Sequence, residues 1–225
     1  MDLDYVFDEV IVRRKPLDLD GVLASEVPLH VGITFVDKLE TVLVRDFTDA
    51  DDLRDALRAT MWLPGAVQGT TTFRGDRALD GGVLTAHPYA LAAADGCTHV
   101  LSLSTHQIHA PRNYNPVALR FAYRYLERLC AGLGDGYLQS IEDNQRQLVE
   151  LAESMVAPTP DPYVLDLGPL PNAPLVKRHE TDAGRLIQAA RYSYELMYCA
   201  IEGHPVSTMG ATGVRAVPKF TIVES

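Results

Sequence analysis

Apolar positions along this chain change their period several times, and each change predicts an element. Residues 27–37 (VPLHVGITFVD) are apolar and rich in β-branched side chains, which predicts a strand. After Lys38, residues 39–44 (LETVLV) predict its antiparallel return. Leu53, Ala56, Leu57 and Thr60 then recur at helical spacing. Thr48 or Asp49 precedes them as an N-cap, and the carboxylates of the first turn sit where the helix dipole favours negative charge. Leu63-Pro64-Gly65 ends that helix, and Gly75-Asp76 predicts a hairpin turn between Thr71–Phe73 and residues 77–79. Residues 88–94 predict a short helix, and residues 99–104 (HVLSLS) a buried strand of a parallel sheet. Two long helices follow over about 116–131 and 137–156, then a strand at Tyr163–Leu167 (YVLDL). Over 182–201 the spacing predicts an amphipathic helix with Leu186, Ala189, Ala190, Tyr194 and Met197 on one face. Strands alternating with helices predict an α/β architecture with a mostly parallel sheet.

Composition narrows the classes. At 225 residues and 47% hydrophobic, the chain can bury one sizeable core. A net charge of -10 argues against a nucleic-acid partner, because phosphate binding needs concentrated Lys and Arg. Arg13-Arg14-Lys15 is too short to change that and reads as a solvated turn. Cys97, Cys130 and Cys199 are widely spaced and odd in number, so the expectation is reduced, buried thiols in a cytoplasmic protein. Neither a signal peptide nor a bilayer-spanning run is read in the sequence. The aspartates of 46–55 lack the glycine and terminal Glu of a calcium loop and read as helix-capping residues. Arg74-Gly75-Asp76 spells an adhesion tripeptide and reads as a turn. With no linker or repeat, the chain is taken as one domain. Residues 1–110 or so form its sheet region, and about 111–225 a helical region with one strand.

The stretch ALDGGVLTAHP raises a chemical question. A carboxylate before two glycines is either a turn aspartate or a group that must approach another closely, with the backbone cleared around it. Asp80 lies beside a strand end, where α/β sheets gather functional groups. No GxGxxG, P-loop or metal-spaced histidine pair occurs, so no metal or cofactor is expected. His179-Glu180 lacks the second histidine of a zincin, and His87 and His99 read as packed or surface side chains.

The order of motifs is more specific than any one of them. Met61-Trp62-Leu63-Pro64-Gly65 precedes Gly75-Asp76-Arg77-Ala78-Leu79-Asp80-Gly81-Gly82-Val83. Pro88 and then Gly96-Cys97-Thr98-His99-Val100-Leu101-Ser102-Leu103-Ser104-Thr105 follow. This run resembles the patatin-like phospholipase family. Upstream, Pro16-Leu17-Asp18-Leu19, Ser25, Pro28-Leu29 and residues 52–59 (DLRDALRA) are similar to the approach to that family's DG[GA] motif. Downstream, Thr181-Asp182 and Ala189-Ala190-Arg191 are similar to the last helix of bacterial members. The resemblance thus covers most of the chain. It implies a three-layer sandwich and hydrolysis of lipid acyl esters by a Ser-Asp dyad, with Asp80 as the carboxylate and Gly81 and Gly82 clearing its loop. A serine hydroxyl is a weak nucleophile that needs such a base.

The sequence departs from that pattern in one respect. None of Ser25, Ser102, Ser104, Ser140, Ser154, Ser193, Ser207 or Ser225 sits in G-x-S-x-G, and no Gly-rich oxyanion loop is present. Both precede the matching region in the family, so the expectation is a chain that starts after them, with N-terminal strands missing. Such a chain carries the base but not the nucleophile and is expected to be inactive alone. Ser104 with His106 and His109 offers another conceivable triad, but no sharp elbow presents the serine. The leading reading is therefore a lipid acyl hydrolase carrying its Asp half. The expected partners are a lipid or ester substrate at a membrane surface, and either a second copy or the missing N-terminal segment. The alternative is a catalytically inactive lipid- or protein-binding module, or a gene fragment, of the same fold.

Overall fold

Two short hairpin turns decide two of the three pairings of the main sheet. β1 (Val31–Phe35) returns through residues 36–39 into β2 (Glu40–Val44), with Ile33 opposite Val42. β3 (Thr71–Phe73) returns into β4 (Asp76–Asp80), with Phe73 opposite Asp76. β4 also pairs with β1, Ile33 facing Asp80, so the order is β2-β1-β4-β3 and every pairing is antiparallel. This corrects the expectation of a mostly parallel sheet. Connections of a few residues can only reverse a strand, whereas a parallel neighbour needs a crossover of a dozen or more. The molecule, a computed structural model describing residues 2–85, 87–105, 114–154, 162–171, 173–174, 176–177 and 180–209, is mixed α/β. Its chain divides into one unit of Met1–Val100 with Arg112–Val164 and a second of Leu101–Pro111 with Leu165–Ser225.

The β3–β4 turn falls on Arg74-Gly75, one residue earlier than expected. Both have positive φ (49° and 86°), which a two-residue hairpin of this hand requires. Glycine meets that freely; arginine does not. Four contacts hold Arg74 there. Its Nε and Nη2 donate to the Asp52 carboxylate at 3.0 and 2.6 Å, and Nη1 and Nη2 reach the Asp46 carboxylate and carbonyl at 3.0 and 2.7 Å.

In the first unit both faces of the sheet are covered. Ala78 and Leu79 are both fully buried, and successive strand residues point to opposite faces. Ala78, Ile33, Phe35, Val44 and Phe73 pack with Ala56 and Ala59 of α2 (Ala50–Thr60). Asp49 caps α2, accepting from the Asp52 N–H at 2.9 Å. On the other face Leu79, Val36 and Val83 pack with Leu126 and Leu133. These come from two long helices, which with the short ones complete the set: α1 (Leu19–Leu23), α3 (Tyr89–Ala94), α4 (Pro116–Leu129) and α5 (Leu133–Ser154). The α4–α5 corner is tied by Glu127, whose carboxylate accepts from the N–H groups of Gly132 and Gly134 at 2.8 and 3.1 Å.

An N-terminal π-helical segment, Tyr5–Arg14, has no counterpart among the expected elements. It takes in Arg13 and Arg14, which end it as its last-turn cations rather than forming a turn, and it buries Phe7. Arg58 of α2 holds it by bonds to Asp4 and Asp8 at 2.6 and 3.1 Å.

β5 (His99–Leu103) and β6 (Tyr163–Leu167) pair as a two-stranded parallel sheet, and the boundary between the units falls within both strands. The expectation that β5 is buried is corrected, since Leu101 and Leu103 are 52% and 64% exposed. The final helix, α6 (Ala183–Glu202), is capped by Asp182, but Leu186 and Tyr194 are exposed, and among its described residues only Cys199 is buried. All three cysteines are free, but Cys97 is exposed and Cys130 half-buried, against the expectation of burial. Among the described residues no helix is long and apolar enough to cross a membrane.

The Arg74 cluster generates a prediction. Hydrogen bonding to Arg74 holds both Asp52 and Asp46 below the usual carboxylate range. Groups depressed on folding contribute stability above their unfolded value, about pH 4, and lose it as pH falls through the folded value. Urea melts at pH 7 and pH 3 should therefore show a smaller acid loss for Arg74→Met than for the wild type. Parallel losses would remove the cluster as an acid-sensitive tie.

Candidate functional site

Asp80 is the last residue of β4 and lies opposite Ile33, with its N–H donating to the Trp62 carbonyl at 3.1 Å. The strand stops there because Gly81–Val83 turns into a 3-10 helix. The Asp80 carboxylate starts that turn, its Oδ1 accepting from the Gly82 N–H at 2.7 Å. A side-chain oxygen bonding the backbone two residues on is the ordinary job of a turn aspartate, and Asp80 performs it.

Gly81 answers the question of close approach. A Cβ built on it would stand 2.5 Å from the carbonyl oxygen of Gly32, so β1 backbone occupies the space of its side chain. Its own carbonyl accepts from Thr41 Oγ1 at 3.2 Å, from Thr34 Oγ1 at 3.4 Å and from the Thr85 N–H at 3.1 Å. Gly81 is thus accounted for by packing inside the sheet. A Cβ on Gly82 would meet only the Asp80 side chain, at 3.1 Å. The result is a half-buried carboxylate on a loop with little freedom, which suits a base or an orienting group.

Beyond Val83 the chain runs along α5. The Ser140 hydroxyl lies 3.0 Å from the Val83 carbonyl and 2.9 Å from that of Tyr137, and the Tyr89 hydroxyl donates to the Gln147 carbonyl at 3.3 Å. Between these anchors, on the same helix face, lies Asn144. It is fully buried, and neither atom of its amide has a hydrogen-bond partner. The Trp62 indole nitrogen is likewise buried and unpartnered. His87 is buried and meets the Tyr89 ring edge-on at 4.9 Å, while burial pushes the Tyr89 hydroxyl above its ordinary range. His87 is packed, one of the two readings the sequence allowed, whereas the buried amide of Asn144 was not legible there. Helical spacing marks Ser140, Asn144 and Gln147 as one face but not what covers it.

In the second unit Ser104 follows β5, its N–H donating to the Leu167 carbonyl at 2.8 Å. Its hydroxyl donates to Oδ1 of Asp166 at 2.9 Å. Asp166 is buried and Ser104 half-buried. Asp166 went unnoticed in the sequence, although an acid among the apolar residues of YVLDL was a signal. His106 and His109, the imagined partners of Ser104, lie outside the described residues, as does His179. His99 is exposed and rests 5.8 Å from the Tyr163 ring. Among the described residues no cluster of three His, Cys, Asp or Glu side chains could hold a metal ion.

Comparison with protein-family profiles, with curated proteins and with solved structures finds no match.

Two substitutions test this geometry. Gly81→Ala should destabilise by about 1–3 kcal/mol, the usual cost of overpacking, because the atom it meets is a backbone oxygen that cannot swing aside. A urea midpoint unchanged from wild type would contradict the close approach. Asn144→Leu should raise stability by about 1–3 kcal/mol, since it removes a buried polar group that lacks partners. A loss of stability would instead reveal a bound water or other partner for the amide.

Proposed function

We propose that the chain is the Asp-bearing part of a patatin-like serine lipid acyl hydrolase, with Asp80 as the base for a serine supplied by the segment upstream. The observation that carries this reading is the ordered motif run from Met61 to Thr105 around Asp80-Gly81-Gly82. The constrained loop supports it as well: a base works only when held within hydrogen-bond reach of the hydroxyl it deprotonates. In this reading the complete domain is a three-layer sandwich in a cytoplasmic protein, acting on phospholipid, lysophospholipid, acylglycerol or simple esters at a membrane surface. Asp80 takes the serine proton as Oγ attacks the carbonyl and returns it to the departing alcohol.

A second reading, an inactive lipid- or protein-binding module, draws on a different observation. Leu101, Leu103 and Leu165 of the second unit are all exposed on β5 and β6, and exposed apolar side chains of that kind mark interaction sites.

Two measurements decide between them. The in-frame coding sequence upstream of Met1 should contain a Gly-rich loop and G-x-S-x-G. In the protein extended by that segment, Asp80→Asn should lower ester-hydrolysis kcat by about 100-fold or more, the scale of a lost general base. Its melting temperature should hardly move, because the asparagine oxygen can still accept from Gly82. Retained turnover would take Asp80 out of the catalytic role, and an upstream stop codon would favour the binding module.

A further inference from the structure

We propose that Ser104 and Asp166 form a hydroxyl–carboxylate pair that gives this chain an acyl-transfer site of its own, taking small activated carboxyl esters. The proposal does not depend on Asp80.

The first support is an inversion of the usual strand pattern. Along β5 and β6 Leu101, Leu103 and Leu165 face outward, although Val164 of β6 is buried. Ser102, Ser104 and Asp166 alternate with them and fall on the covered side, with Asp166 only 5% exposed. Sheets normally do the reverse, and a buried carboxylate is costly unless charges or hydrogen bonds offset it. Among the described residues no Lys, Arg or His lies within ion-pair distance of Asp166, and its hydrogen-bond donor is the Ser104 hydroxyl at 2.9 Å.

Position is the second support. Ser104 follows the last residue of β5 and Asp166 is the penultimate residue of β6, so both stand at the C-terminal ends of parallel strands. Functional groups of open α/β sheets gather at that edge. The bond from the Ser104 N–H to the Leu167 carbonyl at 2.8 Å fixes the serine backbone, and Ser104 itself is half-buried rather than sealed in the core.

The chemistry balances with these two groups, an ester and water. Ser104 Oγ bonds to the ester carbonyl carbon as its proton passes to Asp166. The adduct collapses by breaking its bond to the alcohol oxygen, which leaves with the proton from Asp166. Acyl-Ser104 and a restored carboxylate remain. Water then attacks the acyl carbon, giving one proton to Asp166. That proton returns to Ser104 Oγ as the acid departs.

The experiment uses the 225-residue chain alone, so no upstream serine can contribute. It is exposed to a fluorophosphonate probe or to p-nitrophenyl acetate, and the adduct is mapped by peptide mass spectrometry. Both reagents should modify Ser104, at least tenfold faster in the folded chain than in urea. Asp166→Asn should lower the rate at least tenfold and Ser102→Ala should leave it unchanged. No adduct on Ser104, or modification no faster folded than unfolded, overturns the proposal even if the Asp166 variant fails to fold. A folded Asp166→Asn chain that reacts at the wild-type rate overturns it too.

Discussion

Gly81 against the carbonyl of Gly32 is the contact from which the first unit is organised. It sets the end of β4 flush with the middle of β1, too close for any side chain at position 81. Because β4 is paired on both edges and covered on both faces, a shift there would propagate into both hydrophobic clusters. Close-packed interiors transmit such displacements instead of absorbing them. Thr34 and Thr41 secure the contact from the β1–β2 side through the Gly81 carbonyl, so the turn after Asp80 belongs to the core of the sheet rather than to its surface.

Arginine binds the acid-rich surface to that core. Arg77, on β4, pairs with Asp37 and donates to the Leu129 carbonyl at 3.0 Å, joining the sheet to the end of α4. Arg74 gathers Asp46 and Asp52 around a strained turn, and Arg58 ties the N-terminal helical segment to α2. Each is a planar fork suited to carboxylate geometry. With a net charge of -10, the chain places these cations where they join elements distant in sequence.

The two halves of the candidate chemistry stand on different footings. Asp80 takes its functional reading from the order of motifs around it, while its described contacts are those of a turn aspartate in a rigid frame. The Ser104–Asp166 pair has no motif behind it and rests on contact geometry and burial alone. Asn144 belongs to neither; a buried amide without partners on α5 is a cost to the fold until something satisfies it.

Local pattern was enough to place β2, the hairpin, α2 with its Asp49 cap, α4, β6 and α6 close to their observed ranges, and β1 (Val31–Phe35) inside the longer run expected over 27–37. Periodicity and capping are properties of neighbouring residues. The Tyr5–Arg14 segment escaped because its apolar residues keep no clear helical period, and α5 starts at Leu133, before the expected position, because Glu127 caps the corner from another helix. The pairing of β1 with β4, the outward turn of Leu101 and Leu103, the role of Gly81 and the meeting of Ser104 with Asp166 were decided only in three dimensions. Each depends on residues tens of positions apart. A strand's sequence states that it has two faces, but which face is covered, and which carboxylate meets which hydroxyl, is fixed by the packing of the other elements against it.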